Sequence, residues 1–219
     1  LTQRLREAGF RVGILNGGYP GRRKTWPVKV RAVSDPDQVG DEPVLLARNS
    51  GAPVVAGPDR VAAGRALLAS SPCDVLICDD GLQHYALRRD LEIAVVDAGR
   101  GHGNGHCLPA GPLREPVSRL NTVDALVYLG EPAPGAFGMQ LELHNATRLC
   151  DPGETRPLAS FRGEPVHAVA GIGHPQRFFA ALRSAGLEVE EHRFPDHHRF
   201  RAVDLEFAER RPVLMTEKE

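Results

Sequence analysis

Aromatic residues make up only 5% of this 219-residue chain, with Trp26 the single tryptophan. Cysteine is scarce as well: Cys73, Cys78, Cys107 and Cys150 show no CxxC spacing. That pattern excludes a zinc knuckle and a disulfide frame, and it fits a reducing cytosol. No apolar run approaches the ~18–20 residues of a membrane span. Neither sign of charge is in excess, with 27 basic against 28 acidic residues and a net charge of −1. Nothing there points to a nucleic-acid partner, which needs a basic face. The 23 glycines and 18 prolines are spread out, so many turns are expected without low complexity, and no internal repeat is evident. What is there is ordinary for a globular protein: 42% hydrophobic and 25% charged residues, enough for one large or two small domains.

Both ends read as interrupted. Leu1 is not a methionine, and Leu1, Leu5 and Ala8, with charges between them, read as a helix already under way. At the other end Pro212–Thr216 reads as a strand, and the chain stops shortly after it. The expectation is a piece of a longer protein, cut at both ends.

The stretch from Asp74 to His84 organises the rest. Val75-Leu76-Ile77-Cys78 is a short apolar run that predicts a strand buried on both faces of a parallel sheet. It ends in Asp79-Asp80-Gly81-Leu82-Gln83-His84, polar groups at the edge where ligands of open α/β sheets collect. An acid closing such a strand is also how P-loop enzymes hold the magnesium of a nucleotide, although a solvated acidic turn has the same composition.

Alternation of strands and helices surrounds it. A helix ending at Gly9 leads to a strand over 10–15, then to a turn rich in glycine and charge, Asn16 to Lys24, suited to phosphate or to solvent. Alternation at 28–32 predicts a half-buried strand, with Trp26 packed at its edge. Asp41 and Glu42 precede an apolar helix over 44–47, favourable with its dipole and equally open to a functional role. A strand over 53–56 is followed by Asp59, a natural N-cap for a helix over 60–68. A second buried strand is predicted over 91–97, ending in Asp97, and a third over 124–129. The long irregular Gly99–Pro116 segment lies between them, its His102 and His106 too loosely set to hold a metal. Residues 132–138 read as a linker, and the alternation of Met139, Leu141 and Leu143 as an antiparallel ribbon. From 165 the pattern restarts: strands over 166–172 and 187–194, helices over 176–184 and 202–210, and the final strand. Polar clusters should then fall on carboxyl edges, with carboxylates for a metal, an acid–imidazole pair for proton transfer and arginines for phosphate, which is the equipment of phosphoryl transfer.

Several motifs occur in one order: Val39-Gly40-Asp41-Glu42-Pro43, Gly57-Pro58-Asp59-Arg60, Asp79–His84, Leu108–Pro116, Ala170–Pro175, Phe194–His198 and Met215–Lys218. Together they resemble the tetraacyldisaccharide 4′-kinase family, the lipid A kinases of Gram-negative bacteria, along essentially the whole chain. The resemblance implies an α/β fold of two parallel-sheet units: a P-loop-kinase-like first domain (1–132), a β-ribbon linker (133–160) and a smaller second domain (161–219). It implies ATP and Mg²⁺, transfer of the γ-phosphate to the 4′-hydroxyl of a tetraacyldisaccharide 1-phosphate lipid, and work at the cytoplasmic face of the inner membrane. Asp79 and Asp80 correspond to the magnesium-organising pair, with Gln83 and His84 beside them. Asp41 corresponds to the catalytic carboxylate, with Glu42 its neighbour, and His197, ahead of His198, to the imidazole that supports it. Arg60 and Arg114 correspond to arginines that meet phosphate or substrate. The family's P-loop, ending in Gly-Lys-Thr, precedes the position where this chain starts, so the chain alone is expected to bind ATP weakly and turn over little. Asn16-Gly17-Gly18-Tyr19 stands where the family has Ser-Arg-Gly-Tyr, which removes an arginine that Arg22 partly replaces. Glu219 stands where the family has aspartate. Two other readings share the elements: a sugar-nucleotide transferase, which would not need an acidic pair followed by Gln-His, and a non-catalytic module retaining only the fold.

Overall fold

The structure, a computed structural model, describes residues 1–218; Glu219 lies outside them. Its chain divides into two units, Leu1–Gln140 and the remainder from Leu141.

In the first unit, helix α1 (Thr2–Glu7) leads to strand β1 (Val12–Asn16), and β2 (Val28–Val30), α2 (Pro36–Val39), α3 (Asp41–Asn49), β3 (Val54–Ala56), α4 (Arg60–Ser70) and β4 (Val75–Cys78) follow. The four strands form one sheet in the order β2-β3-β1-β4. β1 runs parallel to β3 and β4, and β2 is antiparallel to β3. Because side chains alternate across a strand, β1 and β3 each feed two cores. Ile14, Val54 and Ala56 pack with Val39 and Val44 and with Trp26, while Leu15 and Val55 pack on the other face with Ala63 and Leu67 of α4. Asp59 caps α4, accepting from the N–H groups of Val61 and Ala62 at 2.9 and 3.0 Å. Those bonds, the one from Ala62 foremost, hold its carboxyl below the usual range.

The edge strand departs from expectation. β4 is half-buried along its length, not buried on both faces, because only β1 hydrogen-bonds to it and no strand covers its other side among the described residues. Strand β5 (Ile93–Asp97) is likewise not fully buried: Ala94 and Val96 point inward, while Ile93 and Val95 are exposed. It pairs in parallel with β6 (Ala125–Leu129), which pairs in parallel with β7 (Phe137–Met139). Part of the stretch read as linker is therefore a strand, recruited by the free edge of β6.

Asp74 ties the entrance of β4 to that of β1. Its carboxylate accepts the Arg11 backbone N–H at 2.9 Å and two guanidinium N–H groups at 2.9 and 2.5 Å. These bonds lower its pKa to about 2. A carboxyl whose folded pKa lies below its unfolded value of about 4 stabilises the fold above that pH, and the contribution fades as pH falls. Asp74→Asn should therefore lower the urea midpoint of the first unit at pH 6, followed through the fluorescence of Trp26, the single tryptophan, with the gap to the parent closing between about pH 4 and 2. A gap independent of pH would refute this account.

The second unit begins with a ribbon, β8 (Asn145–Arg148) antiparallel to β9 (Asp151–Pro157), inside the 133–160 span where a ribbon is expected but C-terminal to the alternating Met139, Leu141 and Leu143. Only Met139 of that alternating trio lies in a strand, and Leu141 and Leu143 are exposed. β10 (Val166–Ala170), α5 (Pro175–Ser184), β11 (Val189–Arg193) and β12 (Val213–Met215) then build a parallel sheet in the order β11-β10-β12. Its core packs Phe179 and Leu182 of α5 against Val166, Ala168 and Ala170. The helix expected over 202–210 is only a 3₁₀ turn, Ala202–Leu205. Beyond it the chain carries Phe207 onto the imidazoles of His167 and His192, with ring centroids 4.2 and 4.1 Å away. A continuing helix would have to give up that stacking.

Candidate functional site

The carboxyl ends of β1 and β4 open onto a cavity of about 400 Å³ lined by Asn16, Gly17, Tyr19, Glu42, Arg60, Asp79, Asp80 and Arg114. This is the edge where parallel sheets hold ligands. Each element delivers its side chain for a local reason. Asn16 ends β1, and although buried it is fully used: its amide N–H donates to Asp79 Oδ2 at 2.8 Å, and its carbonyl accepts the Gly18 N–H at 2.8 Å. Asp79 thus has one oxygen clamped, and the carboxylate faces the cavity.

Asp80 follows with φ +47, left-handed backbone that few residues other than glycine adopt, so strain is stored at the site. Both its oxygens receive Arg114 Nη1, at 2.7 and 2.8 Å. The hydrogen bonds to Asp80, with its charge adding, hold the Arg114 guanidinium above its ordinary value. The pair is well exposed, so it contributes little stability and serves instead to station Arg114 at the rim.

Arg60 is the first residue of α4 and is buried. Its Nη1 donates to the Gly57 carbonyl at 2.6 Å, and its Nε has no hydrogen-bond partner. Among the described residues it makes no ion pair with a carboxylate. A desolvated cation without a counter-charge is costly, and such an orphan calls for an anion. Burial pushes the neighbouring Cys78 thiol up, with Arg60 pulling the other way. Gly17 makes room for this guanidinium: a Cβ at 17 would lie 2.8 Å from Arg60 Nη2. The space over the position expected to have lost an arginine is thus taken by the Arg60 guanidinium. Gly40 is needed too, with φ +93 and a would-be Cβ 2.7 Å from the Tyr19 carbonyl, which brings the 16–21 turn against the start of α3.

Around the cavity lie groups that steady it. Gln83 donates to Glu115 at 2.7 Å and accepts from Arg114 at 3.3 Å. Tyr85 donates to the other Glu115 oxygen at 2.5 Å; this bond foremost, then Gln83 and Arg119, holds the Glu115 carboxyl below its ordinary range. His84 Nε2 accepts the Arg60 backbone N–H at 3.3 Å, so that nitrogen presents a lone pair. Gln83 and His84 thus do not line the cavity. Asp41 opens α3, its Oδ1 accepting the Glu42 N–H at 2.8 Å, and Glu42 rather than Asp41 is among the lining residues. Asp97 is occupied in shaping the next loop, accepting from Gly99 N at 3.0 Å.

In the second unit His197 has φ +59 and is half-buried beside Asp196, Nε2 to Oδ2 3.8 Å. His198 is taken up by structure: Asp204 lies 3.2 Å from its Nε2, and Phe194 and Phe200 pack against its ring. Asn16 and Glu115 are the residues that sequence reasoning passed over. A buried-strand polar terminus was the available signal for the first, and the acid beside Arg114 for the second.

The sheet with its cavity belongs to a P-loop-kinase-like α/β fold. The chain belongs to the tetraacyldisaccharide-1-P 4′-kinase (LpxK) family, whose model matches residues 1–219. A tetraacyldisaccharide 4′-kinase of Nitrosococcus oceani is 56% identical over 219 residues, all of this chain and 64% of the relative. Another, from Alkalilimnicola ehrlichii, is 52% identical over 227 aligned residues, again the whole chain and 66% of the relative. The chain therefore spans just under two thirds of these relatives. The crystal structure of "apo" form LpxK from Aquifex aeolicus in complex with ATP matches with a TM-score of 0.74 and 29% identity, covering 99% of this chain and 71% of that one.

Proposed function

We propose that the protein to which this chain belongs transfers the γ-phosphate of ATP to the 4′-hydroxyl of a tetraacyldisaccharide 1-phosphate, giving lipid IVA. One observation carries the reading beyond family membership: the buried, carboxylate-free Arg60 guanidinium at the wall of a cavity that also holds Asp79. A cation without a counter-charge, set beside a half-clamped carboxylate, suits a phosphate with its metal. Asp79, steadied by Asn16, offers one oxygen to magnesium, and the roomy polar cavity leaves space for the waters that Mg²⁺ keeps. Magnesium, when bound, neutralises charge on the phosphates.

The chain's own groups do the rest. Arg60 and Arg114 meet phosphate oxygens, and an anion arriving at Arg114 competes with Asp80 for it. Asp41 orients the 4′-hydroxyl and accepts its proton as the new oxygen–phosphorus bond forms and the bond to the β-phosphate oxygen breaks, releasing ADP. His197 is the second catalytic residue. No helix among the described residues is long and apolar enough to cross a membrane; we place the work at the cytoplasmic face of the inner membrane, where the lipid is presented.

The test is a transfer assay on the full-length protein with labelled ATP and the tetraacyl lipid. Label should appear at the 4′ position, and Asp79→Asn should cut turnover at least ~100-fold while raising the Mg²⁺ requirement. Absence of transfer, with ATP still bound, would favour a non-catalytic module; transfer to another acceptor would favour a different enzyme.

A further inference from the structure

A second cluster of chemistry-bearing side chains lies in the second unit, and the proposed kinase reaction makes no use of it. His167 of β10 and Glu190 of β11 are register partners, and His192 lies two residues beyond Glu190 on the same face. His167 Nδ1 stands 3.0 Å from His192 Nε2. Glu190 Oε2 is 3.6 Å from His167 Nδ1, and its Oε1 is 3.7 Å from His192 Nε2. One ligand atom from each residue falls within 4.8 Å of the others. Ligands about 2.0–2.1 Å from a tetrahedral zinc ion are about 3.3 Å apart, and the observed separations bracket that value.

The protonation pattern fits as well. His167 Nε2 lies 3.1 Å from the Glu209 carbonyl, which can only accept, so Nε2 carries the proton and Nδ1 accepts the hydrogen bond of His192 Nε2–H. An entering metal takes the place of that one proton, which shifts to His192 Nδ1, and both nitrogens then turn lone pairs to the ion. A ligating histidine whose other nitrogen donates to a backbone carbonyl is the usual support of a metal site. Arg211 Nη1 donates to Glu190 Oε2 at 3.1 Å and steadies the carboxylate, leaving Oε1 to turn inward. Phe207 stacks on both imidazoles and walls one side. His167 is buried, His192 about four-fifths buried and Glu190 half-exposed, so an ion has a route in from solvent.

We propose that His167, His192 and Glu190 form a site for a borderline divalent ion of the zinc class, closed by water, that staples β10 to β11. Two imidazoles and one carboxylate suit Zn²⁺, Co²⁺ or Ni²⁺, whereas Mg²⁺ prefers oxygen ligands. None of its three residues lines the phosphate cavity of the first unit.

Cobalt tests it directly. The tag-free full-length protein, held in millimolar Mg²⁺ to fill oxygen sites, is titrated with Co²⁺ and followed in the visible. A 1:1 complex with the intense bands of four-coordinate cobalt, displaced by one equivalent of Zn²⁺, is expected, as is a raised melting temperature with Zn²⁺. His192→Gln should abolish the bands, and Glu190→Gln, an isosteric change at a half-exposed position, should weaken binding at least tenfold while the far-ultraviolet circular dichroism stays that of the parent. No bands, or bands that survive both substitutions, would overturn the proposal and place any bound metal on other histidines.

Discussion

Asp41→Ala in the full-length protein is expected to lower kcat by about 10²–10⁴, the range lost when a positioned proton acceptor is removed. ATP affinity should change no more than about threefold, because Asp41 is not among the groups lining the cavity where we place the phosphates. The residue starts α3, directly after the Gly40 turn with its φ of +93. Glu42, one residue on, lines the cavity, so Glu42→Gln serves as the contrast: it should affect nucleotide binding more than Asp41→Ala does. His197→Ala should resemble Asp41→Ala, with a large fall in turnover and nucleotide binding kept. His198→Ala should instead loosen the local fold, since Asp204, Phe194 and Phe200 hold that ring. Single-turnover rates and equilibrium ATP titration separate the two effects. Near-normal rates for both Asp41→Ala and His197→Ala would remove the catalytic assignment.

The largest loss of stability is expected from Phe179→Ala. Phe179 is wholly inaccessible and sits on α5 among Val166, Ala168, Leu182 and Leu187. Removing a ring from such a site costs about 3–5 kcal/mol, because the transfer energy is lost and a cavity stays behind. With two units in the chain, a single unfolding midpoint would mix them, so hydrogen exchange resolved by peptide is the measurement. Peptides of β10, α5 and β11 should lose protection by several hundred-fold, while those of β1 and β3 keep theirs. Equal loss in both sets would mean that the units unfold together.

Much of this protein is legible in its amino acids wherever the rule is local. The cap at Asp59, the helix it starts, the apolar strands and the acids that close them follow from residue types a few positions apart. Recognition of the family is local in the same sense, since it rests on short motifs and their order. The strand ends also locate the cavity, because parallel connections bring carboxyl ends to one edge whatever the details of packing.

What neighbours decide is not written so plainly. An apolar run such as Val75–Cys78 states that a strand wants burial, but its place at the edge of the sheet leaves it half-covered. Residues 202–210 have the composition of a helix, and the imidazoles waiting on β10 and β11 draw Phe207 out of it. Asn16 holds Asp79 across 63 positions, and Arg60 of another element fills the space over Gly17. His167 and His192 meet only through strand register. Sequence alone settled which residues are available for phosphate and metal chemistry, since that depends on side-chain type. The tertiary structure decided which of them are desolvated, clamped or left without a counter-charge, because burial and pairing arise between segments far apart in the chain.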